Sequence, residues 1–137
     1  MKIKNQKTDE VKKRKKMTKY VKKMLGVEGK KEQLYEEEIG IVGVDSGQIV
    51  ITDPAYIDSE WEQEDYDGNE GKPKNNFSYN ACCQKTVKGL GGQLNYRLGH
   101  AGVGVVTSSG YGDGCYPVIA TIDKSTGRVK SIRVEFF

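Results

Sequence analysis

From Ile39 to Phe137 the apolar residues come in short alternating runs, each closed by Gly, Asn, Asp or Ser. That is the pattern of short strands. Ile39–Val44 and Gln48–Thr52 are expected as two strands flanking Asp45-Ser46-Gly47, whose Asp and Gly suit a tight hairpin turn. Asp53-Pro54 reads as an N-cap followed by proline at the first helical position, opening a short helix to about Glu62 with Ile57 and Trp61 facing the core. Gln63–Asn76 is one long polar loop. Further strands are expected at Phe77–Val87, Gln93–Leu98, Gly102–Thr107, Tyr116–Asp123 and Val129–Phe137, the last two forming a hairpin through Lys124–Gly127. Ahead of all this, Met17, Tyr20, Val21, Met24 and Leu25 make a narrow apolar stripe on a lysine-covered helix running from Thr8 or Asp9 to the stop at Gly26. The pattern predicts an α+β fold: a β-dominated single domain of about seven mostly antiparallel strands, a sandwich or open barrel, with a basic N-terminal helix and one short helix. Residues 1–35 form the arm and residues 36–137 the β-rich domain.

Composition narrows this only slightly. With 137 residues, 36% hydrophobic and 30% charged, there is room for one domain with a small core. No apolar run approaches the roughly 18 residues of a membrane span. The lysine-rich start lacks the apolar stretch of a secretory signal, and Cys82, Cys83 and Cys115 are an odd set without a CxxC pair. Both features point to reduced thiols in a cytoplasmic protein, without a disulfide framework or a zinc knuckle.

Charge changes the picture more. Residues 1–31 carry 13 basic and 3 acidic residues, residues 32–70 carry 13 acidic and no basic ones, and residues 71–137 carry 9 basic and 3 acidic. The basic arm has the electrostatics to meet nucleic acid or an anionic membrane. Aromatic residues hardly interleave its lysines, however, so packing on the body or on a second copy of the chain is the preferred reading.

The candidate chemistry centres on Thr107–Val118, where Gly110, Gly112 and Gly114 alternate around Tyr111 and Asp113. No helix follows these glycines, so neither a P-loop nor a dinucleotide fingerprint is present. A strand–loop–strand element of this kind can offer a nest of N–H groups to an anion, with the Ser108 and Ser109 hydroxyls beside it. Tyr111 would stack on a base or sugar, and Asp113 would accept from a hydroxyl. The alternative is a wide turn whose glycines only solve a backbone problem. Three weaker constellations accompany it. His100, the single histidine, and Cys115 would make a base and nucleophile pair. Asp45, Asp53 and Asp113 would hold a divalent metal acting on phosphate esters. Asp65–Gly71 matches the first positions of a calcium loop, but Glu70 stands where glycine is required and Asn76 where glutamate is.

Two blocks also resemble a known family. Val44-Asp45-Ser46-Gly47-Gln48 with Ile51-Thr52-Asp53-Pro54-Ala55-Tyr56, and Ser108–Val118 running on to Gly127-Arg128-Val129 and Val134-Glu135-Phe136, are similar to the uncharacterised DUF4241 domain of bacteria and phages. The resemblance covers roughly Val42 to the C-terminus. It implies a shared β-rich domain and brings no catalytic residues or cofactor with it. The expected function is therefore a cytoplasmic small-ligand-binding protein. Its ligand is anionic or nucleotide-like, for instance a signalling nucleotide sequestered in a phage or mobile-element setting. Its binding residues are Asp45, Ser46, Ser108, Ser109, Gly110, Tyr111, Gly112 and Asp113. A hydrolase using the carboxylates or the Cys–His pair on a phosphate ester or amide, and an immunity or adaptor protein that self-associates through the N-terminal helix, are the alternatives.

Overall fold

The computed structural model describes residues 33–66, 68 and 72–137, together with Lys12 and Lys16. The expected helix at Thr8–Gly26 otherwise lies outside the described residues. Among the described residues the order is β1 (Leu34–Val44), β2 (Gln48–Thr52), α1 (Pro54–Ser59), α2 (Tyr79–Val87), β3 (Gly91–Asn95), β4 (Ala101–Ser108), β5 (Gly114–Asp123) and β6 (Val129–Val134). The six strands form two antiparallel three-stranded sheets, β1-β5-β6 and β2-β4-β3, without closing into a barrel.

Two expectations are corrected here. Phe77–Val87 is not a seventh strand, because Tyr79–Val87 is helical. The Ser78 side chain caps this helix by accepting from Ala81 N at 3.0 Å, and Ala81, Gln84 and Lys85 are good helix formers. The aromatic and β-branched ends, Phe77, Tyr79, Thr86 and Val87, gave the segment its strand-like composition. Nor do β1 and β2 form a hairpin. They lie in different sheets, and Asp45–Gly47 is a corner between them.

The start signal at Asp53 holds: its carboxylate accepts from Ala55 N at 2.9 Å and Pro54 opens the helix. The helix ends at Ser59, however, so Ile57 stays 56% exposed while Tyr56 and Trp61 pack on the core. That core comprises Phe77, Ala81, Cys82, Leu94, Val103 and Val106. Val103 and Val106 would face opposite sides of a regular strand. An irregularity between Leu94 and Asn95, opposite Gly102 and Val103, lets both turn inward.

By their contacts the described residues fall into two units: Ile122–Arg128 with the described residues up to Tyr35, and Glu36–Thr121 with Val129–Phe137. In the first, the expected β5–β6 turn is present. Gly127 N donates to Asp123 O at 2.8 Å and Asp123 N to Arg128 O at 3.0 Å, with Gly127 at φ 68°. In the second, Arg133 pairs with Glu36 and with Glu135. Exposed pairs of this kind contribute little to stability.

Candidate functional site

The chain crosses between its sheets twice, at Asp45–Gly47 and again between β4 and β5, and the two crossings touch. Gly47 N donates to Asp113 Oδ1 at 3.0 Å, and Ser109 N donates to Gly47 O at 2.9 Å. A Cβ on Gly47 would sit 3.8 Å from Gly112 Cα. Positive φ at Gly47 (67°), Gly110 (70°) and Gly112 (99°) supplies the bends. Inside the loop, the Gly112 carbonyl accepts from the fully buried Ser109 hydroxyl at 2.6 Å and from the Tyr116 hydroxyl at 2.7 Å. Gly110 N donates to Ser108 Oγ at 3.3 Å. The Ser109 hydroxyl and Asp113 Oδ1 thus brace the corner itself. Tyr111 is 82% exposed, and Asp45 and Ser46 are exposed as well.

The same end of the sheet is fastened to α2. Gln48 Nε2 donates to Cys83 Sγ at 3.3 Å, and Gln48 Oε1 accepts from Thr86 Oγ1 at 2.9 Å. Tyr79 shares a hydrogen bond with the Cys83 thiol, which together with the nearby Cys82 and Asp113 raises its pKa. Burial pushes the Cys82 thiol up to about 12, so it remains protonated and serves as a small core residue.

The other expected groups are held elsewhere. Thr52 pairs with Gly104 while Gln48 pairs with Ser108, so Asp53 lies at the far end of β2 from Asp45. His100 precedes β4, stacked on Tyr96 at 4.4 Å, and Cys115 follows the loop after β4. Eight strand residues, roughly 25 Å at ~3.3 Å per residue, intervene. Neither the Cys115–His100 pair nor the Asp45, Asp53 and Asp113 cluster is assembled; among the described residues no three His, Cys, Asp or Glu gather as a metal site. Most of the Asp65–Gly71 motif lies outside the described residues.

What does form is a cavity of about 580 Å³ between α2, the edge strand β3 and residues 72–76. Lys72, Lys85 and Lys88 line it, with Asn76, Gln84, Gln93 and Asn95. No acidic residue is in its wall among the described residues. Lys85 and Lys88 share a helix face as an i, i+3 pair. The Lys85 stem runs over Gly92, where a Cβ would lie 3.5 Å from Cδ, so a short residue on β3 gives the lysine its bed. Reading Phe77–Val87 as a strand hid this pair. The signal that would have shown it is the cap at Ser78.

Glu64 sets the wall formed by residues 72–76. Its carboxylate accepts from Lys74 N at 2.7 Å, Asn75 N at 2.9 Å, Ser78 Oγ at 3.0 Å and Asn80 Nδ2 at 2.9 Å. Burial works to raise its pKa, but these donors outweigh it and hold the carboxyl down at about 2. One residue from the polar loop therefore ties that loop to the first turn of α2.

Fold and cavity together define a β-dominated α+β domain with an open, basic, amide-lined pocket on one sheet edge. The chain belongs to the family described as protein of unknown function (DUF4241), whose model matches residues 8–133. The match begins well ahead of Val42 and takes in the lysine-rich arm. The chain shows no similarity to a curated protein or to a solved structure. No helix among the described residues is long and apolar enough to cross a membrane.

Proposed function

We propose that the protein binds a small anionic molecule in the cavity beneath α2. The observation that carries this is the lysine-lined wall without a described carboxylate, around a volume of about 580 Å³. Small-molecule sites commonly span ~300–1,000 Å³. A concave site lined by one sign of charge concentrates the opposite ion. An anion bound there relieves the mutual repulsion of Lys72 and Lys85. The reading is one of holding a ligand, since no histidine or acid lines the cavity among the described residues. A cytoplasmic setting suits the free thiols Cys82, Cys83 and Cys115, and sequestration of a small phosphorylated metabolite suits the holding role. The N-terminal residues 1–35 are proposed as a separate basic arm, available for pairing with a second copy.

Calorimetry on the full-length chain with phosphorylated and carboxylated small molecules tests this. A phosphorylated ligand binds the wild type. Lys85→Gln weakens it about 10- to 100-fold, as loss of one charge-assisted contact implies. Failure of every anion to bind below about 1 mM refutes the reading. The glycine loop supplies the control for location. Asp113→Ala removes the brace on Gly47 and lowers stability by about 1 kcal/mol, measured by urea unfolding, and leaves ligand affinity unaltered. If affinity falls instead, the ligand sits at the corner.

A further inference from the structure

Among the described residues β1 has one neighbour in its sheet, β5, so its other edge is unpaired. Such an edge carries a row of free N–H and C=O groups, which proteins usually guard with short length, charge or proline. β6, at the opposite edge of the same sheet, has six residues with Lys130 and Arg133 among them. β1 has eleven residues, and its Ile39–Val44 half contains neither a charge nor a proline. Ile39 and Ile41 are 57% and 67% exposed, and a Cβ on Gly40 or Gly43 would meet nothing within 4 Å. Of the glutamates ahead of this half, Glu36 reaches across β5 to Arg133, whose Nη2 donates to Oε2 at 2.9 Å, and so leans away from the free edge.

The N–H and C=O of one strand residue point to the same side, and the side alternates along the strand. Lys124 N donates to Gln33 O at 2.9 Å just before β1, and Ser109 N donates to Gly47 O at 2.9 Å after it. Odd-numbered residues therefore turn toward the β4–β5 chain, and Glu38, Gly40 and Val42 turn toward the free edge. Residues 36–44 are matched to an antiparallel copy of themselves. With Gly40 on the two-fold axis, Ile39 of each copy lies opposite Ile41 of the other, in the non-hydrogen-bonded positions where side chains come closest. Glu38 then faces Val42, Glu37 faces Gly43 and Glu36 faces Val44, so no acid opposes an acid. A parallel in-register pair would set the glutamates against their own copies. Sliding the antiparallel pair one step sets Glu37 against Asp45, or, in the other direction, against Ile41. From this match we infer that the protein forms a dimer in which the β1 edges of two copies join their sheets into one antiparallel sheet. The contact occupies the free β1 edge of both copies, so it closes at two. One strand pair is a small interface, and the expected dissociation constant is on the order of 10 μM. β1 takes no part in the lysine cavity, so the dimer and the anion site stand or fall separately.

Sedimentation velocity on the full-length chain, from about 1 to about 200 μM, tests this and is expected to show a reversible monomer–dimer equilibrium. Ile41→Glu places a charge opposite Ile39 and diagonal to Glu37 of the other copy, and is expected to weaken the dimer at least about tenfold. Ile132→Glu, at an exposed site on the guarded strand β6, is expected to leave it unchanged. The axis is located by crosslinking in a Cys115→Ser background, which removes the exposed thiol. Gly40→Cys brings two thiols within disulfide reach and is expected to give a covalent dimer under mild oxidation. Gly43→Cys, far from its own counterpart in this register, is expected to give none. A monomer throughout, or a dimer that Ile41→Glu leaves intact, overturns the edge pairing; in the second case the copies associate through another surface. Crosslinking of both cysteine variants alike, or of neither, overturns it as well. The cysteine pair decides the matter if Ile41→Glu folds poorly.

Discussion

Gly91→Ala is expected to be the most damaging methyl addition in the molecule. Gly91 opens β3 opposite Thr107 with φ 131°, and a Cβ there would lie 2.7 Å from Thr107 Cα and closer still to the Val106 carbonyl oxygen. Neither obstacle is the movable end of a side chain, so the two strands themselves would have to part. Backbone strain of ~1–3 kcal/mol at the positive φ and overpacking of ~1–3 kcal/mol add to an expected loss of about 3–5 kcal/mol. That is a large share of the ~5–15 kcal/mol that holds a domain folded. Because Gly91 also lines the lysine cavity, ligand affinity should fall in whatever fraction remains folded. The control is Gly43→Ala in β1, where nothing lies within 4 Å of the added carbon; this variant is expected to unfold at nearly the wild-type urea concentration. Equal midpoints for the two variants would show that β3 and β4 are not packed as described.

How much of this was legible beforehand depended on how local the cause was. Alternation placed β2 at Gln48–Thr52, and a single capping dipeptide placed the start of α1 at Asp53-Pro54; both causes lie within a few residues. The glycine block was legible as a special backbone. In the structure the Asp113–Gly47 bond joins it to the Asp45–Gly47 corner. What it does there was not legible, because the bonds that tie Asp113 and the Ser109 backbone to Gly47 join residues far apart in sequence. The same reason explains the missed corner at Asp45–Gly47. A turn signal says that the chain reverses, and only the partners of β1 and β2 say whether it stays in one sheet. The cavity was hidden twice over: α2 carries a strand-like composition, and its lysines gain meaning only when β3 runs beside them.

Those non-local bonds also explain why the cavity can hold a defined shape at a sheet edge. On one side, Gln48 fastens β2 to α2 through Cys83 and Thr86. On the other, Tyr96 pins the β3–β4 turn to α1, its hydroxyl donating to that of Tyr56 at 2.8 Å; this bond helps push the Tyr96 pKa up to about 12. The C-terminal half of the helix that carries Lys85 is thus fixed to β2. The remaining wall, residues 72–76, has no strand or helix of its own and depends on Glu64.

Glu64→Ala is expected to be the second most damaging change, and its effect should depend on pH. Removing the carboxylate leaves the fully buried Ser78 hydroxyl and the buried Asn80 amide without this partner, and frees two backbone N–H groups. Allowing for partial solvent access, the loss is about 3 kcal/mol at neutral pH. The wild type should show the same dependence on acidification. Its carboxyl is held at about 2 against an ordinary 4.5, so between those values the unfolded chain binds a proton that the folded chain does not. The stabilisation is therefore complete above about pH 4.5 and is lost as pH falls toward about 2. Glu64→Gln keeps the shape and one acceptor oxygen but cannot titrate. Its urea midpoint should be lower than that of the wild type at pH 7 and should converge on it as the pH approaches 2. Parallel curves for the two proteins across that window would mean that the carboxylate does not anchor the loop. The accompanying expectation is functional: with residues 72–76 released, Glu64→Ala should bind the anionic ligand more weakly even though Glu64 does not line the cavity.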